Sequence, residues 1–161
     1  MPKYHMKKKE REITDDKNTI IEILKNGKFA TISMCRANEP YIVTLSYGFD
    51  FKCNSLYFHS SKEGLKVEFL RENSNVCGTI VDDLGYVMND CSHKYRSIVF
   101  WGKMATVEDL EEKKYGFNII LNHLEDNPDK MKKRFLKNEQ ANDSICIIRL
   151  NIIEMTGKAS L

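Results

Sequence analysis

The sequence predicts a mainly β chain: an antiparallel β-barrel with peripheral helices covering its ends. Two observations lead there. About six segments alternate apolar and polar residues at the period of a strand. These segments come mostly as neighbouring hairpins joined by short turns, with few helical stretches between them. At 161 residues, 42% hydrophobic and 30% charged, the chain fits one domain that needs no staple. Residues 1–13 read as a basic arm and residues 14–161 as the domain.

The elements follow in order. Thr14 is placed to cap a short helix carrying Ile20, Ile21 and Leu24, and Gly27 sits where a helix-ending glycine belongs. Residues 28–34 alternate as a strand. Asn38, Glu39 and Pro40 make a turn. In residues 41–47, Tyr41, Val43, Leu45 and Tyr47 share one face. A turn near residues 52–54 leads to a strand with Leu56, Tyr57 and Phe58. Helical spacing returns over 61–71 with Leu65, Phe69 and Leu70, and 75–81 is again a strand. Residues 82–94 show the least periodicity and read as a loop. Residues 95–107 are apolar on both faces, as in a strand covered on both sides or facing a partner or ligand. A helix with Leu110, Phe117, Leu121 and Leu124 follows. Asn127 and Pro128 open a short helix with Met131 and Phe135. Residues 144–155 form the last strand.

The charge is unevenly distributed. Residues 1–12 hold Lys3, Lys7, Lys8, Lys9 and Arg11 against Glu10 and Glu12, while the remainder carries 20 basic and 21 acidic side chains. A neutral body argues against nucleic acid as a partner. Residues 1–12 carry no apolar signal-peptide core, and no apolar run is long enough to span a membrane. The five cysteines, Cys35, Cys53, Cys77, Cys91 and Cys146, contain no C-x-x-C pair. That favours a reducing cytoplasm and no metal site.

The sharpest local feature is the run from Tyr57 to Lys66, where a strand ending in His59 and Ser60 passes at once into a helix. A helix N-terminus, the hydroxyls of Ser60 and Ser61, and Lys62 with Lys66 one turn apart would make a phosphate cradle. Ser60 with Glu63 would make a plain capping box, the commoner meaning of Ser-x-x-Glu before an apolar run. His59 has a titration range suited to acid–base work, though a histidine at a strand end commonly has a structural role. Cys91 and His93 read as loop residues, since nothing supplies further ligands. Arg96 would bind an anion or pair with a carboxylate. Trp101 reads as core or interface packing. Lys130, Lys132, Lys133, Arg134 and Lys137 read as a solvated helix face.

The segments FATISM (29–34), PYIVTLSYGFD (40–50), SLYFHSSKEGLKVEFLRENSNVCGTIV (55–81), CSHKYRSIVFWGKMATVED (91–109) and IIEMTGKAS (152–160) together resemble the flavin-binding split-barrel superfamily of pyridoxamine 5'-phosphate oxidase, and most closely its nitroimidazole-resistance branch. The resemblance implies a six-stranded antiparallel split β-barrel with flanking helices. It implies a homodimer with FMN at the subunit interface. Val43, Thr44 and Leu45 would line the flavin through backbone groups. His59 and Ser60 would sit near its ring or ribityl chain, with His59 the candidate catalytic residue. Ser61, Lys62 and Lys66 would hold the phosphate, and Arg96 and Ser97 would approach from the second subunit. The implied activity is an FMN-dependent oxidoreductase that passes electrons from a reduced nicotinamide to a small acceptor such as a nitroaromatic. The rival is a non-catalytic barrel binding haem, a deazaflavin or FMN as sensor or store. The tryptophan- and arginine-bearing C-terminal extension of the vitamin B6 oxidases is not found in residues 156–161, so that oxidation is not expected.

Overall fold

The computed structural model describes residues 8–13, 17–135 and 146–161. The elements in chain order are α1 (Lys17–Asn26), β1 (Phe29–Arg36), β2 (Glu39–Asp50), β3 (Ser55–Ser60), α2 (Leu65–Glu72), β4 (Asn75–Val87), β5 (Ser92–Thr106), α3 (Leu110–Leu124), α4 (Pro128–Phe135) and β6 (Cys146–Ser160). The six strands close into a barrel in the order β1-β2-β3-β6-β5-β4, every neighbouring pair antiparallel. Closure gives every strand a neighbour on both sides over at least part of its length.

Alternation fills the barrel. Ala30, Ile32 and Met34 of β1, Leu56 and Phe58 of β3, Ile98, Phe100 and Met104 of β5, and Ile148 and Leu150 of β6 are buried inside. Ile23 and Leu24 of α1 and Phe69 and Leu70 of α2 join this core from the helices. Gly27 ends α1 as expected, its N–H bonding the Ile23 carbonyl at 2.9 Å. On the outer wall, α3 packs over β2, β3 and β6 through a second cluster of Tyr57, Val107, Phe117, Ile120, Leu121 and Ile147. Gly48 lets α3 come this close: a Cβ there would lie 2.6 Å from the Ile120 backbone.

Three expectations are corrected. Of residues 82–94, only 88–91 form a turn; the rest are the long arms of the β4–β5 hairpin. A bulge between Asp83 and Tyr86 breaks the alternation that periodicity relies on, and a cross-strand pair, His93 Nε2 to Asp83 Oδ1 at 2.7 Å, sits on those arms. The helix after β3 starts at Leu65, four residues later than read. Gly64, at φ +116°, precedes it in a conformation other side chains avoid. β6 runs on to Ser160 because it pairs with β5 from Ile148 to Ser160, with a shift of register at Trp101/Gly102. Thr14, Lys137 and the start of the last strand at residues 144–145 lie outside the described residues, as do the side chains of Arg134 and Phe135. Among the described residues, no helix is long and apolar enough to cross a membrane.

Candidate functional site

The site begins where two strands part. β2 pairs with β3 from Asp50↔Ser55 to Tyr47↔Phe58 and no further. Beyond that point β2 keeps only β1 as partner. The Tyr47 N–H bonds Lys28 O on the β1 side, so by alternation Thr44 and Ser46 turn their N–H and C=O groups to the side β3 has vacated. Backbone donors and acceptors therefore face an opening, as a strand must if it is to bind a ligand through its main chain.

That opening is a groove of about 440 Å³. Thr44, Leu45 and Ser46 of β2 and His59 of β3 form one side. Phe117, Ile120, Leu121 and Leu124 of α3 and Met131 of α4 form the other. His59 points outward on the same face as Tyr57 and meets Phe117 edge to face, with ring centroids 6.1 Å apart. Partial desolvation holds the His59 pKa below its ordinary value, so the imidazole is neutral at neutral pH.

A second, polar cleft of about 250 Å³ lies beside the end of β3, where Ser60 pairs with Cys146. Lys62, Arg71 and Lys113 line it together with Glu108, Thr106, Val67, Val107 and Cys146. Burial pushes the Cys146 thiol pKa up, while Lys66, Lys113 and Lys62 pull it the other way, so all three lysines act on this floor. On α3, Lys113, Phe117, Leu121 and Leu124 fall at three- and four-residue spacing, so one stripe of the helix serves both cavities. The stripe is cationic at one end and apolar over the rest, a span of about 16 Å.

The expected site residues divide into three groups. Thr44, Leu45 and His59 line the groove, and Lys62 lines the cleft. Val43 packs against the barrel core and does not line the groove. Ser60 and Ser61 form a local turn: Ser60 Oγ donates to Ser61 O at 3.0 Å, and Ser61 Oγ accepts from the Glu63 N–H at 3.4 Å. The Ser60–Glu63 capping box is not formed, because the helix starts later. Lys62 accordingly lies outside α2, and only Lys66 sits on its first turn.

Arg96 and Ser97 are elsewhere. Arg96 pairs with Ala159 across β6, whereas Ser60 pairs with Cys146. Those partners are separated by a strand path of roughly 40 Å. One ligand cannot touch both sets within one chain. The Arg96 guanidinium binds Asp82 Oδ2 through Nε at 2.9 Å and Nη2 at 2.6 Å, and Glu22 Oε2 through Nη1 at 3.2 Å. Sequence reasoning missed Arg71, Lys113, Ser46 and Phe117 as site residues. The spacing of Lys113 one turn before Phe117 was the available signal.

Comparison with known proteins agrees with this architecture. A family profile described as pyridoxamine 5'-phosphate oxidase matches residues 16–159. No curated protein matches the chain. Among solved structures, a protein provisionally named as a 5-nitroimidazole antibiotic resistance protein, from Bacteroides thetaiotaomicron, is 29% identical, with 90% of this chain and 84% of that one covered at a TM-score of 0.74. A FAD and heme binding protein from Mycobacterium smegmatis is 17% identical over 91% of this chain and 72% of its own, at 0.71. A FAD-binding protein from Mesorhizobium loti is 18% identical over 94% and 98%, at 0.65. The last two share the fold. With the family profile running from the residue before α1 almost to the end of β6, the chain belongs to the pyridoxamine 5'-phosphate oxidase family.

Proposed function

We propose that this chain is an FMN-binding oxidoreductase that takes reducing equivalents from a reduced nicotinamide and delivers them to a small acceptor such as a nitroaromatic. One observation carries the reading: a single stripe of α3 lines both a cation-bearing cleft and, further along, a groove with an aromatic and aliphatic wall and main-chain donors on the facing strand. A phosphate on one end of a flat apolar ring is the ligand shape this chemistry suits. FMN, when bound, supplies the hydride and electron chemistry.

The residues of the chain have separate tasks in this reading. Lys62 and Lys66 hold the phosphate as point charges. Thr44 and Ser46 orient the ring through N–H and C=O groups left free by the parting of β2 from β3. Phe117 and Leu121 exclude water from its face. Neutral His59 presents a hydrogen-bonding group beside the ring or the acceptor. The resemblance to the Bacteroides thetaiotaomicron protein supports a nitro compound as acceptor.

The partner is a second copy of the chain. Two rows of outward side chains, Ile42–Ser33–Cys77–Trp101 and Thr44–Thr31–Thr79–Val99, cross β2, β1, β4 and β5 without a charge. An uncharged face of this extent favours coverage by protein. Thr44 belongs both to this face and to the groove, so a second copy would close the groove. It would also bring Arg96 and Ser97 within reach, since Arg96 spends three N–H groups on Asp82 and Glu22 and has five.

The test is to purify the full chain, record its absorption spectrum and mass in solution, and titrate it with FMN. The expected result is a dimer that quenches FMN fluorescence and then oxidises NADH or NADPH in the presence of a nitroaromatic. A Soret band, or flavin binding with no turnover, would establish the sensor or storage alternative instead.

A further inference from the structure

The cleft holds more positive charge than two lysines account for. Lys62 and Arg71 reach it from the segment around α2, and Lys113 reaches it from α3. A single carboxylate, Glu108, lines the same cleft, and its Oε1 already accepts from Thr106 Oγ1 at 3.2 Å. The Lys113 side chain has no hydrogen-bond or ion-pair partner among the described residues; its backbone N–H bonds the Asp109 carbonyl at 2.9 Å. Its neighbour Lys114 is spent on Glu111 at 2.8 Å. Gathering like charges around a small cavity is unfavourable unless an anion joins them.

The opposite side of the same helix turns is tied down. Glu112 accepts from Arg149 of β6 and from Tyr57 Oη of β3, the latter at 3.4 Å. Tyr115 Oη donates to Asp50 at 2.8 Å, and Asp50 is buried. That bond and the carboxylate's charge push the Tyr115 pKa up to about 12, so the phenol keeps its proton. Gly116 lies against the Tyr57 ring. These ties set the height and rotation of the turn that carries Lys113 and Phe117.

We propose that Lys113 is a further anion-binding residue, closing the phosphate cleft from α3, and that Tyr115 with Asp50 is the positioning pair that holds it there. The inference rests on the reading of the cleft as a phosphate site. It adds a residue from a second element, so that anion binding and the seating of α3 become linked.

Three ligands separate the possibilities: inorganic phosphate, riboflavin and FMN, each titrated into the full chain at fixed ionic strength. Phosphate alone is expected to raise the melting temperature of the wild type and not of Lys113→Gln. FMN affinity is expected to fall about tenfold in Lys113→Gln, the size of a lost charge-assisted hydrogen bond, while riboflavin affinity stays unchanged. Lys113→Arg should restore FMN binding. Tyr115→Phe should weaken FMN but not riboflavin, and should add nothing further in the Lys113→Gln background. Equal phosphate stabilisation of wild type and Lys113→Gln would overturn the role of Lys113, as would equal weakening of FMN and riboflavin. An equal effect of Tyr115→Phe in both backgrounds would overturn the positioning role. Lys113-dependent phosphate binding in a chain that takes no flavin would refute FMN as the cofactor and leave this inference standing.

Discussion

Arg96 and the Lys62–Arg71–Lys113 cleft are cationic regions near opposite ends of β6, and they are neutralised in different ways. Arg96 is met by two carboxylates of its own chain, Asp82 on β4 and Glu22 on α1. Arg36 is treated likewise, with Glu39, Glu68 and Glu72 around it. In the cleft, Lys62, Arg71 and Lys113 line the same cavity as one carboxylate, Glu108. A cation answered within the chain joins elements together. A cation whose side chain has no ion-pair partner among the described residues, as Lys113, is one that a bound anion would answer under the proposed reading. Equal formal charge in the sequence thus joins elements in one place and, under the proposed reading, is left for a ligand in the other.

Four experiments would break or sharpen that contrast. The largest effect is expected from Gly48→Ala, which drives a methyl group into the Ile120 backbone and lifts α3 away from the wall that both cavities share. A loss of about 3 kcal/mol in urea unfolding is expected, together with loss of flavin binding. Normal stability in that variant would mean that α3 does not need its close seat.

Next in size is Lys62→Ala combined with Lys66→Ala. FMN affinity measured by calorimetry should fall by at least about tenfold, with the fold intact. Because repulsion is removed, the ligand-free melting temperature should hold or rise. A fall in that temperature with unchanged FMN affinity would assign these lysines to structure.

Arg96→Ala should behave oppositely. It should lower ligand-free stability by up to about 1 kcal/mol, the usual worth of a partly exposed ion pair, and Lys113→Ala should not. If both variants lose stability equally, the distinction between answered and unanswered cations fails.

The smallest effect concerns pH. Burial holds His123 below its ordinary pKa of 6.5, and its Nε2–H donates to the Gly27 carbonyl at 2.6 Å. His59 is depressed by desolvation as well. For both, the folded state resists protonation more than the unfolded chain does. Their stability contribution is therefore complete above pH 6.5 and is lost as pH falls through 6.5 toward the depressed folded values. Melting temperature should decline gently on acidification below pH 6.5, and less so in His123→Gln. An unchanged slope in that variant would exclude His123 as a source.

Much of the fold was legible because each strand's period marks which residues face the core. Tyr41, Val43, Leu45 and Tyr47 do lie on one inward face, and α4 does begin at Pro128. The β4–β5 arms were illegible because a bulge resets the period inside a polar stretch. The start of α2 was misread because Ser60-x-x-Glu63 matches a capping pattern that the chain uses as a turn instead. At the candidate site, the strand-to-helix junction and the family resemblance pointed to His59, Thr44, Leu45 and Lys62, all of which line the groove or the cleft. Ser46 and Lys113 were not singled out, because their places on the groove and the cleft depend on what packs across from them.

By itself, then, the sequence determined the alternation that builds six strands, the neutral charge of the body, and the cluster of His59, Lys62 and Lys66 within eight residues. Local chemistry suffices for these, since period, turn residues and side-chain type are properties of short segments. Only the tertiary structure decided where β2 leaves β3, which cations are answered, and which helix covers the opening. Those are relations between residues far apart in the chain, such as Arg149 with Glu112 and Tyr115 with Asp50. Closure of the barrel brings them together, because each strand's neighbours are chosen by the whole sheet and not by the strand itself.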